Sequence, residues 1–190
     1  MDARLLLWRR LDVEGLERLE MTASDGGLDA SSTVLCAADG GLRVDHRWRI
    51  DRDGRARSLV VERRGPSGGG TLRLERVGAG WSVDGRRRAD LEGADEPDLS
   101  VTPFCNTLPI RRVPTSAGAS LTIDTAWIDG ATLEVLRSRQ RYERLGARRF
   151  RYVDLGAALG FEAVIETDDE GWVLRYESLF ERVAPLERGA

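Results

Sequence analysis

The residues with the most chemistry to offer lie in one stretch, DLSVTPFCNTLPIRR, from Asp98 to Arg112. Thr102, Asn106 and Thr107 supply short hydrogen-bonding side chains, while Pro103 and Pro109 remove backbone donors and are expected to hold the segment extended. That set suits sugar hydroxyls or a lipid head group. Arg111 and Arg112 close the stretch, and guanidinium groups grip a carboxylate or phosphate in bidentate fashion. Cys105 beside Asn106 brings a thiol nucleophile into consideration, with only the two arginines at hand to lower its pKa. The acids of DLEGADEPDL, residues 90–99, have the chemistry of a general acid and base, although such loops are ordinarily solvated surface. The Asn and Thr side chains serve equally to cap the backbone of an irregular structural strap, so site and strap both stand.

The other motifs carry less. GPSGG at 65–69 fits the nucleophile-elbow pattern, but that elbow needs a helix after it, and TLRLERV alternates as a strand does. It is expected to be a flexible hairpin loop. DRDG at 51–54 begins like a calcium loop and lacks the third acid and the closing Glu, so it is expected to be a turn. His46 is the only histidine and shares a strand face with Val44 and Trp48, which predicts a buried, hydrogen-bonded imidazole. All 29 basic residues are Arg, which excludes a Schiff-base lysine and a phosphate-loop lysine. One His, two scattered Cys and no complete phosphate or metal motif predict no bound metal and no organic cofactor. No catalytic residue is assigned.

These residues must be held by a β framework. The 190 residues are enough for one domain, 1–190, with a hydrophobic content of 41% and a charged content of 32%. A net charge of −3 gives no sign of nucleic-acid binding. The apolar stretch in MDARLLLWRRLD is too short for a signal peptide, and no run approaches a membrane span. With only Cys36 and Cys105, the expectation is a cytoplasmic protein with unpaired thiols and no stable membrane insertion.

Alternation dominates the pattern. Val44, His46, Trp48 and Ile50 share one strand face, as do Leu72 and Leu74, then Leu121, Ile123, Thr125 and Trp127, then Phe161, Ala163 and Ile165. Turn signals separate these runs, and short helices are expected around 15–21 and 178–183. The order also repeats. RWRIDRDGRAR from Arg47 parallels RQRYERLGARR from Arg139 at an offset of 92, and Trp81 falls on Trp172 at an offset of 91. Two similar β units are therefore expected at about 5–86 and 108–184, with a connecting segment at 87–107.

WRRLDVEGLE near the start, GWSVDG at 80–85, DEPDLSVTPFCNTLPIRR at 95–112, RYERLGARRFRY and DEGWVLRYESLFERV follow one another in an order that resembles the bacterial family described as putative glycolipid-binding. The core T-P-x-x-N-T-L-P-I-R-R is long and unusual. Cys105 stands where that family is expected to have Thr, and Glu96-Pro97 where Val is usual. The resemblance implies a spiral β-roll, a half-open antiparallel structure built on an internal duplication, similar to periplasmic lipoprotein carriers. It implies non-enzymatic binding of a glycolipid or other lipid-like molecule in a cavity between the two units. Thr102, Asn106, Thr107, Arg111 and Arg112 are expected to hold the head group, with Trp81 and Tyr142 as wall. Two alternatives stay open: an enzyme using the 90–98 acids or Cys105 on such a ligand, and an interaction module without a small ligand.

Overall fold

A computed structural model describes residues 4–183. Two strands, β1 (Arg4–Arg10) and β2 (Gly15–Ser24), lead into a six-stranded meander of β3 (Gly27–Cys36), β4 (Leu42–Asp51), β5 (Ala56–Gly65), β6 (Gly68–Val77), β7 (Gly80–Val83) and β8 (Arg86–Arg87). A connecting stretch then carries β9 (Glu96–Leu99) and one α-helix, α1 (Phe104–Ile110). A second meander follows: β10 (Ser120–Ile128), β11 (Val135–Arg144), β12 (Arg149–Asp154), β13 (Glu162–Thr167), β14 (Val173–Tyr176) and β15 (Phe180–Arg182). All fifteen strands form one sheet, ordered β8-β7-β6-β5-β4-β3-β2-β1-β15-β14-β13-β12-β11-β10-β9. Neighbours are antiparallel except β9 and β10, which run parallel. The stretch 5–86 holds β1 to β7, and 108–184 holds the second meander, with residue 184 outside the described residues.

A sheet this long curls, because strand twist accumulates. Its two ends meet and are stitched by side chains. The Trp81 indole donates to the Ala94 carbonyl at 3.0 Å, and the Ala56 amide donates to Glu96 Oε2 at 3.0 Å. Arg88 donates to the Val135 carbonyl at 3.1 Å and Arg137 to the Glu92 carbonyl at 2.6 Å.

The roll is filled from inside by α1, all of whose residues are buried. Phe104 packs between Trp48, 5.6 Å away edge-on, and Trp172, stacked at 6.0 Å. Burying one such ring contributes about 1.5–3 kcal/mol. The segment expected to be extended is thus a helix, and both prolines fit it. Pro103 sits at the N-cap, where no amide donor is needed, and the Phe104 amide bonds to Thr102 Oγ1 at 3.1 Å. Pro109 lies in the last turn, after which Arg111 bonds back to Thr107 at 3.2 Å and Arg112 to Pro109 at 2.9 Å.

Other local expectations change as well. Residues 15–21 are strand, since Glu17, Leu19 and Met21 point inward while Leu16 and Arg18 point out, a period of two. Residues 178–183 are a turn followed by β15. GPSGGG is a tight hairpin: Gly65 pairs with Gly68 around Pro66-Ser67, and Gly68–70 extend β6. Among the described residues no helix is long and apolar enough to cross a membrane.

Candidate functional site

β9, α1 and the turn between them place Asp98, Thr102 and Asn106 on the lining of an inner cavity of about 220 Å³. Asp154, the last residue of β12, is a further polar residue of the lining. The rest of the lining is mainly aromatic and aliphatic, with Trp127 beside Asp98 in the β9–β10 register, and with Phe161, Tyr176, Leu179 and Phe180. Of the lining, Ser100 and Ala158 are exposed, the latter in the turn after β12. Asp154 Oδ1 organises that turn by accepting from the amides of Gly156 at 2.7 Å and Ala158 at 3.0 Å. Leu159, next to Ala158 in that turn, is 77% exposed.

Behind Asp98 and Asn106 runs a directed hydrogen-bond chain. Asn106 Nδ2 donates to the Tyr142 hydroxyl at 3.0 Å, and that hydroxyl donates to Gln140 Oε1 at 3.0 Å. Gln140 Nε2 donates in turn to Asp98 Oδ2, and the Cys105 thiol donates to Asp98 Oδ1 at 3.0 Å. The register explains the assembly, because Gln140 on β11 lies opposite Asp154 on β12, and Tyr142 opposite Tyr152. Tyr152 donates to Asp154 Oδ2 at 3.1 Å.

Asp98 sits deep in the fold yet keeps part of its surface open to the cavity. Burial pushes its pKa above the usual carboxylate range; the bonds from Cys105 and Gln140 work against that, and the charge of Asp154 adds to it. Burial, then the Asp98 charge, holds the Cys105 thiol well above its ordinary value. Cys105 is therefore a protonated donor, not a thiolate nucleophile. Both cysteines are free and buried.

Thr102 also faces away from the cavity, onto a second buried cluster. Its hydroxyl and that of Ser32 each donate to Glu17 Oε1 at 2.8 Å, and His46 Nε2 lies 3.2 Å from the same oxygen. Trp48 Nε1 donates to His46 Nδ1 at 2.8 Å, so the imidazole proton belongs on Nε2, toward Glu17. His46 is thus a core histidine.

Of the residues singled out in the sequence, Thr102 and Asn106 line the cavity and Tyr142 stands directly behind Asn106. Thr107 is wholly buried, and its hydroxyl has no partner among the described residues. Arg111 lies 3.8 Å over the Trp172 ring and donates to the Glu170 carbonyl at 2.9 Å. Arg112 bonds to Asp95 at 2.8 Å and approaches Glu96 at 3.1 Å. Trp81 lies under Arg76, 4.5 Å away, at the seam where the sheet ends meet. None of these last four lines the cavity.

Nor is the cavity between the two β units. Its lining comes entirely from residues 98 to 180, because the space between the meanders is filled by Phe104 with Trp48 and Trp172. In the acid-rich loop, Asp90, Glu92, Asp95 and Glu96 all pair with arginines, and Asp98 alone reaches the cavity. Asp154 and Gln140, missed in the sequence, carry no local signal; only strand register brings them to the site.

A larger groove, about 540 Å³, crosses the outward side of β2 to β6. Its outward side chains set Arg47, Arg49 and Arg73 against Glu20, Asp29 and Glu75, a solvated and charge-balanced surface. Among the described residues no group of three or more His, Cys, Asp or Glu is placed to hold a metal.

Residues 5–182 match a family model described as "Putative glycolipid-binding". The crystal structure of a DUF1089 family protein from Pseudomonas aeruginosa is 30% identical, with a TM-score of 0.77, covering 88% of this chain and 92% of that one. No curated protein matches the chain.

Proposed function

Because the chain belongs to the family described as putative glycolipid-binding, we propose that it binds an amphiphilic, lipid-like molecule in the inner cavity of the second meander. The observation that supports this most is the division of that cavity. Asp98, Asn106 and Asp154 offer polar groups, and the rest of the lining offers a mainly aromatic and aliphatic surface. A head group takes the first and the start of an alkyl chain takes the second. At about 220 Å³ the cavity is smaller than the ~300–1,000 Å³ usual for a whole drug-sized ligand, so the tail leaves past the exposed Leu159. Native mass spectrometry of the purified protein with lipid extraction tests this reading. The expected result is one amphiphile per chain; protein that carries none and takes up none added would refute it.

A second reading, that the protein acts on the same ligand, is favoured by one observation: Asp98 and Asp154 share the cavity, and burial favours the protonated form of Asp98. Incubation with an alkyl glycoside tests it. Free sugar whose release is lost in Asp98→Asn would establish turnover, and intact glycoside would leave binding alone. The two free, buried thiols fit a reducing, cytoplasmic setting.

A further inference from the structure

Among the described residues three acids are almost wholly buried: Glu17, Glu96 and Asp154. Two of them have a basic partner. Glu96 lies 3.1 Å from Arg112 and 3.8 Å from Arg76, and Glu17 lies 3.2 Å from His46. Asp154, 3% exposed, has none: it is held only by the Tyr152 hydroxyl and the amides of Gly156 and Ala158. Arginine is not scarce, since the chain has 29 basic residues and all are Arg, yet none lines the cavity that Asp154 faces. Arg10 lies over the Phe180 ring at 5.6 Å, but its guanidinium is held by Asp12 at 2.6 Å. A buried carboxylate without a counterion is unfavourable, and a cation brought by a ligand would offset that cost.

The hydrogen-bond directions ask for the same partner. Asp98 accepts from Cys105 on one oxygen and from Gln140 on the other. Asn106, 4% exposed, gives its amide nitrogen to Tyr142. Its carbonyl oxygen has only the Cys105 sulfur near it, at 3.9 Å, and that thiol donates to Asp98 at 3.0 Å. The Thr102 hydroxyl is committed to Glu17. The donors of Thr102 and Asn106 are thus spent within the fold, while Asp154, Asp98 and the Asn106 carbonyl keep accepting capacity. The uncommitted donors of the lining, the Trp127 indole and the hydroxyls of Ser100 and Tyr176, carry no charge. An alkylammonium group brings one positive charge, three N–H donors and no acceptor. Burial and the charge of Asp154 favour the protonated form of Asp98, which leaves one negative charge in the cavity for one positive charge on the ligand. The rings of Trp127, Phe161 and Tyr176 in the lining also suit a cation, which aromatic faces attract. Among the described residues no acids are grouped as a metal ion needs, so the cation is an organic one.

Resting on the amphiphile reading above, we infer that the ligand's head carries a primary ammonium group, with Asp154 as its counterion and with Asp98 and Asn106 as hydrogen-bond acceptors. Asp154 is then the residue that sets head-group specificity.

Four probes with the same tail decide this: octylamine, octyl glucoside, octyltrimethylammonium and octyl sulfate. Each is titrated calorimetrically into the intact protein at neutral pH, below its micelle concentration; octylamine is then protonated, as a lysine side chain is. Octylammonium is expected to bind at least about tenfold more tightly than any of the other three, a difference of about 1.4 kcal/mol. Asp154→Asn keeps an oxygen for the amides of Gly156 and Ala158 and removes the charge. In that variant, checked for folding by circular dichroism, octylammonium affinity should fall about tenfold while octyl glucoside affinity changes by less than about twofold. If octyl glucoside or octyl sulfate binds as tightly as octylammonium, or if Asp154→Asn folds and leaves octylammonium affinity unchanged, the ammonium inference is overturned while the amphiphile reading survives. Equal affinity for octyltrimethylammonium, which has the charge without N–H donors, would overturn it as well. If no probe binds, the amphiphile reading itself fails. The probe comparison on the unaltered protein stands whether or not the variant folds.

Discussion

Glu96 sits at the seam where the ends of the rolled sheet meet, and it is only 1% exposed. It accepts from the Ala56 amide at 3.0 Å and lies 3.1 Å from Arg112 and 3.8 Å from Arg76. Burial nevertheless raises its pKa from 4.5 to about 7, more than the Ala56 amide and the two arginines lower it. The folded protein therefore holds a proton on Glu96 up to about pH 7, while the unfolded chain releases it near 4.5. Between those values the folded state binds more protons, so this group makes stability fall as pH rises through the window. The gap between 4.5 and about 7, at about 1.36 kcal/mol per pH unit, corresponds to about 3 kcal/mol. The measurement is urea denaturation of the native protein and of Glu96→Gln at several pH values from 4.5 to 8.5. Gln cannot titrate, so the difference between the two curves isolates this group. The native protein should lose about 3 kcal/mol relative to Glu96→Gln over that range, mostly between pH 5 and 7. A difference that stays flat, or that moves in favour of the native protein as pH rises, would show that the arginines and not burial govern Glu96.

Asn106→Ala removes the donor to the buried Tyr142 hydroxyl, so it should lower stability by about 1–3 kcal/mol and also weaken octyl glucoside binding, read by denaturation and calorimetry. Arg111→Ala should leave ligand affinity unchanged and cost about 0.5–2 kcal/mol of stability through the lost stacking on Trp172; a loss of affinity would return Arg111 to the site. Phe104→Ala should cost about 3–5 kcal/mol by opening a cavity between Trp48 and Trp172, seen as a lower denaturation midpoint. Thr102→Val leaves Glu17 with one hydroxyl donor instead of two, and an expected stability loss of about 1–3 kcal/mol would be read the same way.

The β framework was legible because strand faces write themselves in alternation. Leu42, Val44, His46, Trp48 and Ile50 are all buried on one side of β4, as the period of two requires. The helix was not legible, because Pro103 and Pro109 read locally as extension, and only the interior of the roll gives a seven-residue helix enough contacts to form. For the site, spacing within one segment found Thr102 and Asn106. It could not find Asp154, which lines the cavity, or Gln140 behind it, both placed by the β11–β12 register. It also drew Arg111 and Arg112 toward the ligand, whereas acids and an aromatic ring within the fold hold both guanidinium groups. Arginine in this chain mostly meets carboxylate, and composition alone does not say which arginine is left for a ligand.

The measurement that bears most directly on the proposed site is photolabelling with an octyl glucoside that carries a diazirine in its tail, followed by peptide mapping. The account predicts labels on the turn after β12 and on the β14–β15 corner, around Ala158, Phe161 and Leu179, competed away by unlabelled octyl glucoside. Labels concentrated on the outer groove of β2 to β6, around Arg49 and Arg73, or labels that no competitor removes, would contradict it.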